Sequence, residues 1–269
     1  MKTIVLTGAT SGIGNALVKY FAQNNKVFAG YRNEDHVKKL EDLGAIPFYI
    51  DMTNSASIRQ ASAFIKSQTD KIDTLINVAG CVVAGVIENL EIDRIRHQFE
   101  VNTFSHLDFT QNLLDLLEGG KIINISSMAS FGVFPFVGPY CASKRALDIL
   151  FNSFANETKR NVKVVSIKPG VIATPLWEKS ININEKSINN CEGYENEMKF
   201  MVKNARKNQE KGLDVNEVVK LIAKVEAMNN PKPSYTIGTD AKAAEIISHL
   251  PQGMINKLVK FNLNRRVNS

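Results

Sequence analysis

Seven short runs rich in β-branched and aliphatic residues punctuate the chain, at 3–7, 26–31, 45–50, 72–77, 120–126, 162–168 and 234–237. Each has the length of a strand buried on both faces, and the stretches between them mostly repeat apolar residues at helical spacing. After the first run, Leu17, Val18, Tyr20 and Phe21 suit one helix face; from Pro139 to Asn156, Tyr140, Ala146, Leu147, Leu150, Phe151 and Phe154 do the same. Strand–helix alternation predicts an α/β fold: a doubly wound parallel sheet of about seven strands, helices on both faces, right-handed crossovers. No internal repeat interrupts it.

Two local patterns carry candidate chemistry. Thr7-Gly8-Ala9-Thr10-Ser11-Gly12-Ile13-Gly14 sits between the first strand and the first helix, the context of a Rossmann-type dinucleotide site. There Gly8 permits the tight turn, Gly12 lets backbone approach a pyrophosphate, and Gly14 allows helix to pack closely on strand. Helix-start N–H groups then meet the phosphates. Further on, Tyr140 and Lys144 are four residues apart on a predicted helix and share one face. A free phenol titrates near ~10, so acid–base work near neutrality requires a drop of roughly three units, about 4 kcal/mol. A neighbouring lysine and a cationic cofactor would supply it; a helix-surface Tyr/Lys pair is the plain alternative.

Together these residues closely resemble the short-chain dehydrogenase/reductase family, in its compact single-domain branch, from about residue 3 to about residue 240. Thr7 to Gly14 matches the family's T-G-x3-G-x-G loop, so Gly8, Thr10, Ser11, Gly12, Ile13 and Gly14 are the implied phosphate cradle. Asn77, Ala79 and Gly80 match its N-N-A-G element, from which Val78 departs. Asp51, followed by Met52, stands at the family's adenine contact, although capping of a helix over 54–67 is an equally physical role there. Asn102, Ser127, Tyr140 and Lys144 fall on the family's catalytic set, and Pro169, Gly170, Ile172 and Thr174 on its nicotinamide-side turn. The implied activity exchanges hydride between nicotinamide C4 and a carbonyl or secondary alcohol carbon. Tyr140 would move the proton, Ser127 hold the oxygen, Lys144 acidify the phenol and bind ribose, and Asn102 position Lys144 through water.

Cofactor choice is legible after the second strand. An enzyme for NAD wants an acid at that strand end, and Gly30 occupies the place. Arg32 follows, a cation suited to a 2′-phosphate, so NADP is the expected cofactor. The competing reading makes Arg32 a solvated cation, with Glu34 or Asp35 serving NAD. On the substrate side, Met128, Phe131, Val133, Phe134, Phe136 and Val137 join Ser127 to Tyr140. They suggest a lipophilic (steroid-, retinoid- or acyl-chain-like) substrate, unless the phenylalanines pack inward. From Thr174, residues 175–213 replace a short connection, with an asparagine-rich, irregular centre at 180–190 and a stripe of Met198, Met201, Val202 and Ala205. A substrate lid is expected rather than a floppy insertion, since long excursions in compact domains are commonly functional. Leu176, Trp177, Met198 and Met201 would line it, polarisable methionine adapting to irregular apolar ligands.

Composition adds limits. All 269 residues fit one oxidoreductase domain. No apolar run reaches the ~18 residues of a membrane span, and no signal peptide opens the chain, so a cytoplasmic enzyme is expected. Cys81, Cys141 and Cys191 lack metal or redox spacing, and His36, His97, His106 and His249 form no ligand pair, so no metal is assigned. The net charge of +6 gathers in 199–211 and in the tail over 240–269, where Lys257, Lys260, Arg265 and Arg266 meet no acid after Pro251. Nucleic-acid binding lacks aromatic–basic interleaving. The tail predicts a helix over 252–266 with Met254, Ile255, Leu258, Val259 and Phe261 on one apolar face, packed on protein; weak association with a membrane surface is the other reading. Surplus apolar residues on helices over 99–117 and 139–157 predict a homodimer or homotetramer. A redox sensor or scaffold that keeps the cofactor site without turnover is the alternative function; an intact Ser127, Tyr140 and Lys144 favours the enzyme.

Overall fold

The computed structural model describes residues 1–267; Asn268 and Ser269, and the side chains of Arg266 and Val267 in the basic tail, lie outside the described residues. Seven strands form one sheet: β1 (Thr3–Leu6), β2 (Lys26–Tyr31), β3 (Ile46–Tyr49), β4 (Thr74–Asn77), β5 (Lys121–Ile125), β6 (Lys163–Pro169) and β7 (Ser234–Ile237). Their order is β3-β2-β1-β4-β5-β6-β7, and every pairing is parallel. The chain winds outward in both directions from β1 and β4, so the connections diverge there and leave a crevice at the carboxyl ends of the strands.

The helices are α1 (Gly12–Phe21), α2 (Val37–Asp42), α3 (Ser55–Gln68), α4 (Ile92–Phe99), α5 (Ser105–Leu113), α6 (Gly138–Glu157), α7 (Leu176–Ile183), α8 (Glu185–Asn189), α9 (Glu195–Lys211), α10 (Val215–Ala227), α11 (Thr239–Ile247) and α12 (Gln252–Val267). Strand side chains alternate between faces. Ile4 and Leu6 enter one core with Leu17 and Val18 of α1 and Val218 and Ile222 of α10. Val5 enters the other with Ile58 and Ile65 of α3, Phe109 and Leu113 of α5, and Leu147 and Phe151 of α6. The expected helical surplus is thus largely spent on the chain's own sheet; Phe104 and Ile149 remain, each 51% exposed.

Three elements differ from their expected form. The helix expected over 99–117 is interrupted by a π-turn at Glu100–Phe104 and ends in a 3-10 turn at Leu114–Leu116. The centre of the 175–213 excursion is helical rather than irregular, because the Asn184 side chain is buried and satisfied on every side. Its Oδ1 accepts from Ala84 N–H at 2.8 Å and from the Arg94 guanidinium at 2.7 Å, and its Nδ2 donates to Val82 O and Ser180 O, each at 2.7 Å. Tail helix α12 does not present one apolar face: Ile255 is 7% exposed, whereas Met254, Leu258 and Phe261 are 51%, 42% and 65% exposed.

Gly14 shows how tightly the first turn is built. A Cβ there would overlap the Gly8 carbonyl, and one on Gly8, itself at φ +64°, would meet Ala79 N at 2.8 Å. Gly14→Ala is therefore expected to lower stability by about 1–3 kcal/mol through overpacking, read as a shifted urea midpoint with unchanged slope.

Candidate active site

The crevice is a cleft of about 1800 Å³ that runs from the glycine loop to α12. On its walls lie Gly8, Thr10, Ser11, Gly12 and Ile13; Arg32, Asp51 and Met52; Ala79 and Gly80; Ser127, Tyr140 and Lys144; and Pro169, Gly170, Ile172 and Thr174. Three expected site residues sit behind the wall. Gly14 packs on Gly8 as described. Asn77 is fully buried in the sheet, its Nδ2 donating to Asn124 Oδ1 at 2.8 Å. Asn102 is also fully buried, inside the π-turn.

The floor of the cleft suits a dinucleotide. Ser11 is the N-cap of α1 but its side chain caps no N–H group, which leaves the first-turn donors directed at the cleft. Thr7 Oγ1 accepts from Val78 N–H at 3.0 Å and Ala79 N–H at 3.2 Å, tying the glycine turn to the β4 loop. Across from it, a Cβ on Gly12 would touch Thr174 at 3.5 Å. The Asp240 carboxylate accepts from Val171 N–H at 2.7 Å and fills the space a side chain at Gly170 would need, so the Pro169–Thr174 turn is held from behind. Asp51 leaves the capping of α3 to Asn54, whose Oδ1 accepts from Ala56 and Ser57 N–H. Burial raises the Asp51 pKa, but hydrogen bonds from the Thr53 N–H and hydroxyl and the Arg32 charge leave it below the usual carboxylate value. Arg32 and Asp51 thus share one end of the cleft.

At the other end, α6 begins with Pro139 in its first turn, a position where the missing N–H costs nothing. Successive turns then place Tyr140, Lys144 and Asp148 along one face. Ser127 Oγ accepts from Ala129 N–H at 3.1 Å, which fixes the hydroxyl beside the phenol. Burial pushes the Tyr140 phenol up to about 12, opposed by the hydrogen bond from Ser127. The chain alone therefore does not acidify this phenol. Lys144 Nζ lies 6.0 Å from the phenol ring centroid and donates to Ile125 O at 2.8 Å. It is only 4% exposed. Burial lowers its pKa to about 8, and the Asp148 carboxylate raises it against that pressure.

Four neighbours, Asp148, Lys168, Ser143 and His106, carry no role in the sequence reading. Asp148, 1% exposed, pairs through Oδ2 with Lys168 Nζ at 3.1 Å, and that ammonium lies 4.5 Å from the Phe131 ring centroid on the cleft wall. Ser143 Oγ accepts from Asn102 Nδ2 at 3.0 Å. Asn102 also clasps Cys81, accepting from its N–H at 2.9 Å and donating to its carbonyl at 3.0 Å. His106 is fully buried with Nε2 2.8 Å from Ala79 O; burial and the nearby Lys144 charge push it down to about 3, so it is neutral. Only Asp148, one turn beyond Lys144, lay at a spacing that could have drawn attention to it.

The cleft wall between Ser127 and Tyr140 is apolar. Phe131, Phe134 and Phe136 line the cleft instead of filling the sheet core, together with Met128, Val133 and Val137. Phe136 adopts φ +67°, a left-handed conformation that costs a non-glycine residue energy. From the lid come Leu176, Trp177 and Met201, with Trp177 Nε1 anchored on Ile172 O at 2.8 Å. Met198, expected beside them, is instead 1% exposed in the lid's own core with Val86 and Cys191.

Comparison with known proteins agrees with this geometry. The family model described as short chain dehydrogenase matches residues 2–186. The chain belongs to the short-chain dehydrogenase/reductase family. It is accordingly an NAD(P)-dependent oxidoreductase. Over 194 residues it is 34% identical to an NADPH-dependent 3-dehydrocapnine reductase of Ornithobacterium rhinotracheale, covering 67% of this chain and 69% of that one. Over 265 residues it is 29% identical to a 3-ketodihydrosphingosine reductase of Bacteroides thetaiotaomicron, with 96% of each chain covered. A short chain dehydrogenase of Burkholderia cenocepacia in complex with NADP has the same fold: TM-score 0.73 at 24% identity, covering 96% of this chain and 99% of that one.

Protonated Lys144 is the form below about pH 8, and the charge is lost as pH rises through that value. Removing the Asp148 charge in Asp148→Asn withdraws the one stabilising carboxylate, so the Lys144 titration is expected to move to lower pH. Carbon-13 labelling at lysine Cε, with Lys144→Met to assign the signal, reads the shift directly and without substrate.

Proposed function

We propose that this protein reduces the ketone of a lipophilic substrate with NADPH. The observation that carries the reading is the wall between Ser127 and Tyr140, where Phe131, Val133, Phe134 and Phe136 face the cleft opposite Leu176, Trp177 and Met201. Such a surface gains by removing an apolar chain from water and offers a sugar little to hydrogen-bond. Two relatives support the direction and the class by name, one a reductase of 3-dehydrocapnine and one of 3-ketodihydrosphingosine.

A nicotinamide bound along the glycine loop and the Pro169–Thr174 turn would supply hydride to the carbonyl carbon. Tyr140 gives its proton to the carbonyl oxygen, so one C–H and one O–H bond form and a secondary alcohol results. Ser127 donates a hydrogen bond to the same oxygen and keeps it in line with the phenol. Lys144 stabilises the phenolate left behind and holds the ribose hydroxyls, while Asn102 keeps Cys81 and Ser143 in place beneath it. The family's habit of pairing subunits, with Phe104 and Ile149 exposed on the helix layer, supports a homodimer or homotetramer.

The preference for NADP rests on Gly30 and Arg32. A Cβ at Gly30 would approach Ile50 Cγ2 and Phe48 Cζ at 3.1 Å and Leu6 O at 3.2 Å, so a side chain in the place of an NAD-binding acid would be crowded. Arg32, exposed beside it on the cleft wall, is available to a 2′-phosphate.

Arg32→Asp is expected to weaken NADPH binding by about 2 kcal/mol or more, because a charge-assisted hydrogen bond becomes repulsion, and to strengthen NADH binding. Fluorescence titration of both cofactors checks it; a wild-type preference for NADH would sink the assignment. Tyr140→Phe is expected to abolish ketone reduction while leaving NADPH affinity nearly unchanged, since only the transferable proton is lost. Turnover at the wild-type rate in that variant contradicts the acid role.

A further inference from the structure

Tail helix α12 divides its apolar residues between two directions. Ile255, Val259 and Leu263 face the cleft beside the lid helix α9, whereas Met254, Leu258 and Phe261 stand on an adjoining strip of the helix, open to solvent. Ile246, Ile247 and Leu250 add exposures of 72%, 42% and 36% at the end of α11 and the turn after it. Ile247 and Leu258 belong to both sets, since they also line the cleft. Exposed apolar surface therefore runs into the mouth of the substrate cavity.

The charge carried by α12 has one sign. After Glu245 the chain holds no further Asp or Glu, but carries Lys257, Lys260, Arg265 and Arg266. Lys203 and Lys207 of α9 line the cleft where α9 packs against α12. Among the described residues, none of Lys203, Lys207, Lys257, Lys260 and Arg265 forms a salt bridge. Arg265 falls within the apolar strip on the helical wheel, but its long stem can lie along apolar surface while the guanidinium reaches outward.

We propose that the α11–α12 face docks on an anionic lipid surface, from which a lipophilic substrate passes into the cleft. An apolar strip flanked by cations fits acyl chains and acidic headgroups together. A second copy fits less well, because an isologous contact sets the same patch on both subunits and brings Lys257 and Lys260 against their own kind. The docking stands on the surface itself; the passage of substrate rests on the reading of the cleft as a site for a lipophilic ketone.

The test is co-sedimentation of the 269-residue protein with phosphatidylcholine vesicles, with or without an equal share of phosphatidylglycerol, at low salt. Two double variants accompany it: Met254→Ser with Phe261→Ser, and Lys257→Glu with Lys260→Glu. None of these four side chains lines the cleft, and NADPH titration of each variant verifies that the fold is intact. Wild type is expected to pellet with the anionic vesicles about tenfold more tightly than with the neutral ones, and both variants to lose that advantage. Anionic vesicles that fail to bind wild type, or that bind all three proteins equally, overturn the proposal. So does light scattering that shows an oligomer dissolved by the Met254/Phe261 substitutions, which assigns the strip to a second copy. Tail-dependent vesicle binding by a protein that reduces no lipophilic ketone upholds the docking and contradicts only the reading of the cleft.

Discussion

A lysine ammonium held almost out of water is the constraint around which this site is arranged. Lys144 is 4% exposed, and burial drags its pKa to about 8, so its charge near neutrality depends on what surrounds it. The Ile125 carbonyl takes one hydrogen bond from the ammonium, and Asp148, one helical turn further, supplies opposite charge. Asp148 is in turn paired with Lys168 on β6, whose ammonium lies over Phe131. One buried charge thereby ties α6, two central strands and the substrate wall into a single unit. A lost partner would leave an uncompensated charge in the interior, an expensive outcome.

The same demand accounts for the layer beneath. Asn102 lies inside a π-turn, and such one-turn widenings frequently accompany functional sites. Its amide satisfies Cys81 and Ser143 within the wall that backs Lys144. Gly80 completes the fit, since a Cβ there would sit 3.4 Å from Asn102 Oδ1 and 3.6 Å from Lys144 Nζ. On the far side, Arg94 and Asn184 fasten the lid to the loop after β4. The excursion is latched between α7 and α8, and its Leu176, Trp177 and Met201 line the same cleft as the Ser127–Tyr140 segment.

What the sequence revealed was what local chemistry determines. The seven strands occur where apolar runs placed them, with ends that differ by a residue or two, and the glycine turn lies between strand and helix as its spacing requires. Tyr140, Lys144 and Ser127 came together because helical periodicity and a strand end specify their directions. The low intrinsic helix propensity of asparagine predicts an irregular centre at 180–190, whereas a single long-range set of hydrogen bonds to Asn184 organises that stretch. Asp148 and Lys168 are ordinary residues in the sequence; their pairing spans a helix and a strand and exists only in the folded chain. The tail sequence predicts one apolar arc because periodicity cannot say which half of an arc its own domain will cover.

The phenol itself marks the boundary between what the protein provides and what the reaction requires. Burial leaves Tyr140 at about 12, the wrong side of its ordinary value for an acid–base group near neutrality. Positive charge brought close to the phenol by the oxidised nicotinamide ring would reverse this. The direct measurement is an ultraviolet difference titration of the tyrosinate signal lost in Tyr140→Phe, made with and without saturating oxidised NADP. The expected result is a titration near 12 for the free protein and a fall of several units with the cofactor bound. An unmoved titration, with binding of the cofactor verified in the same cell, would contradict it.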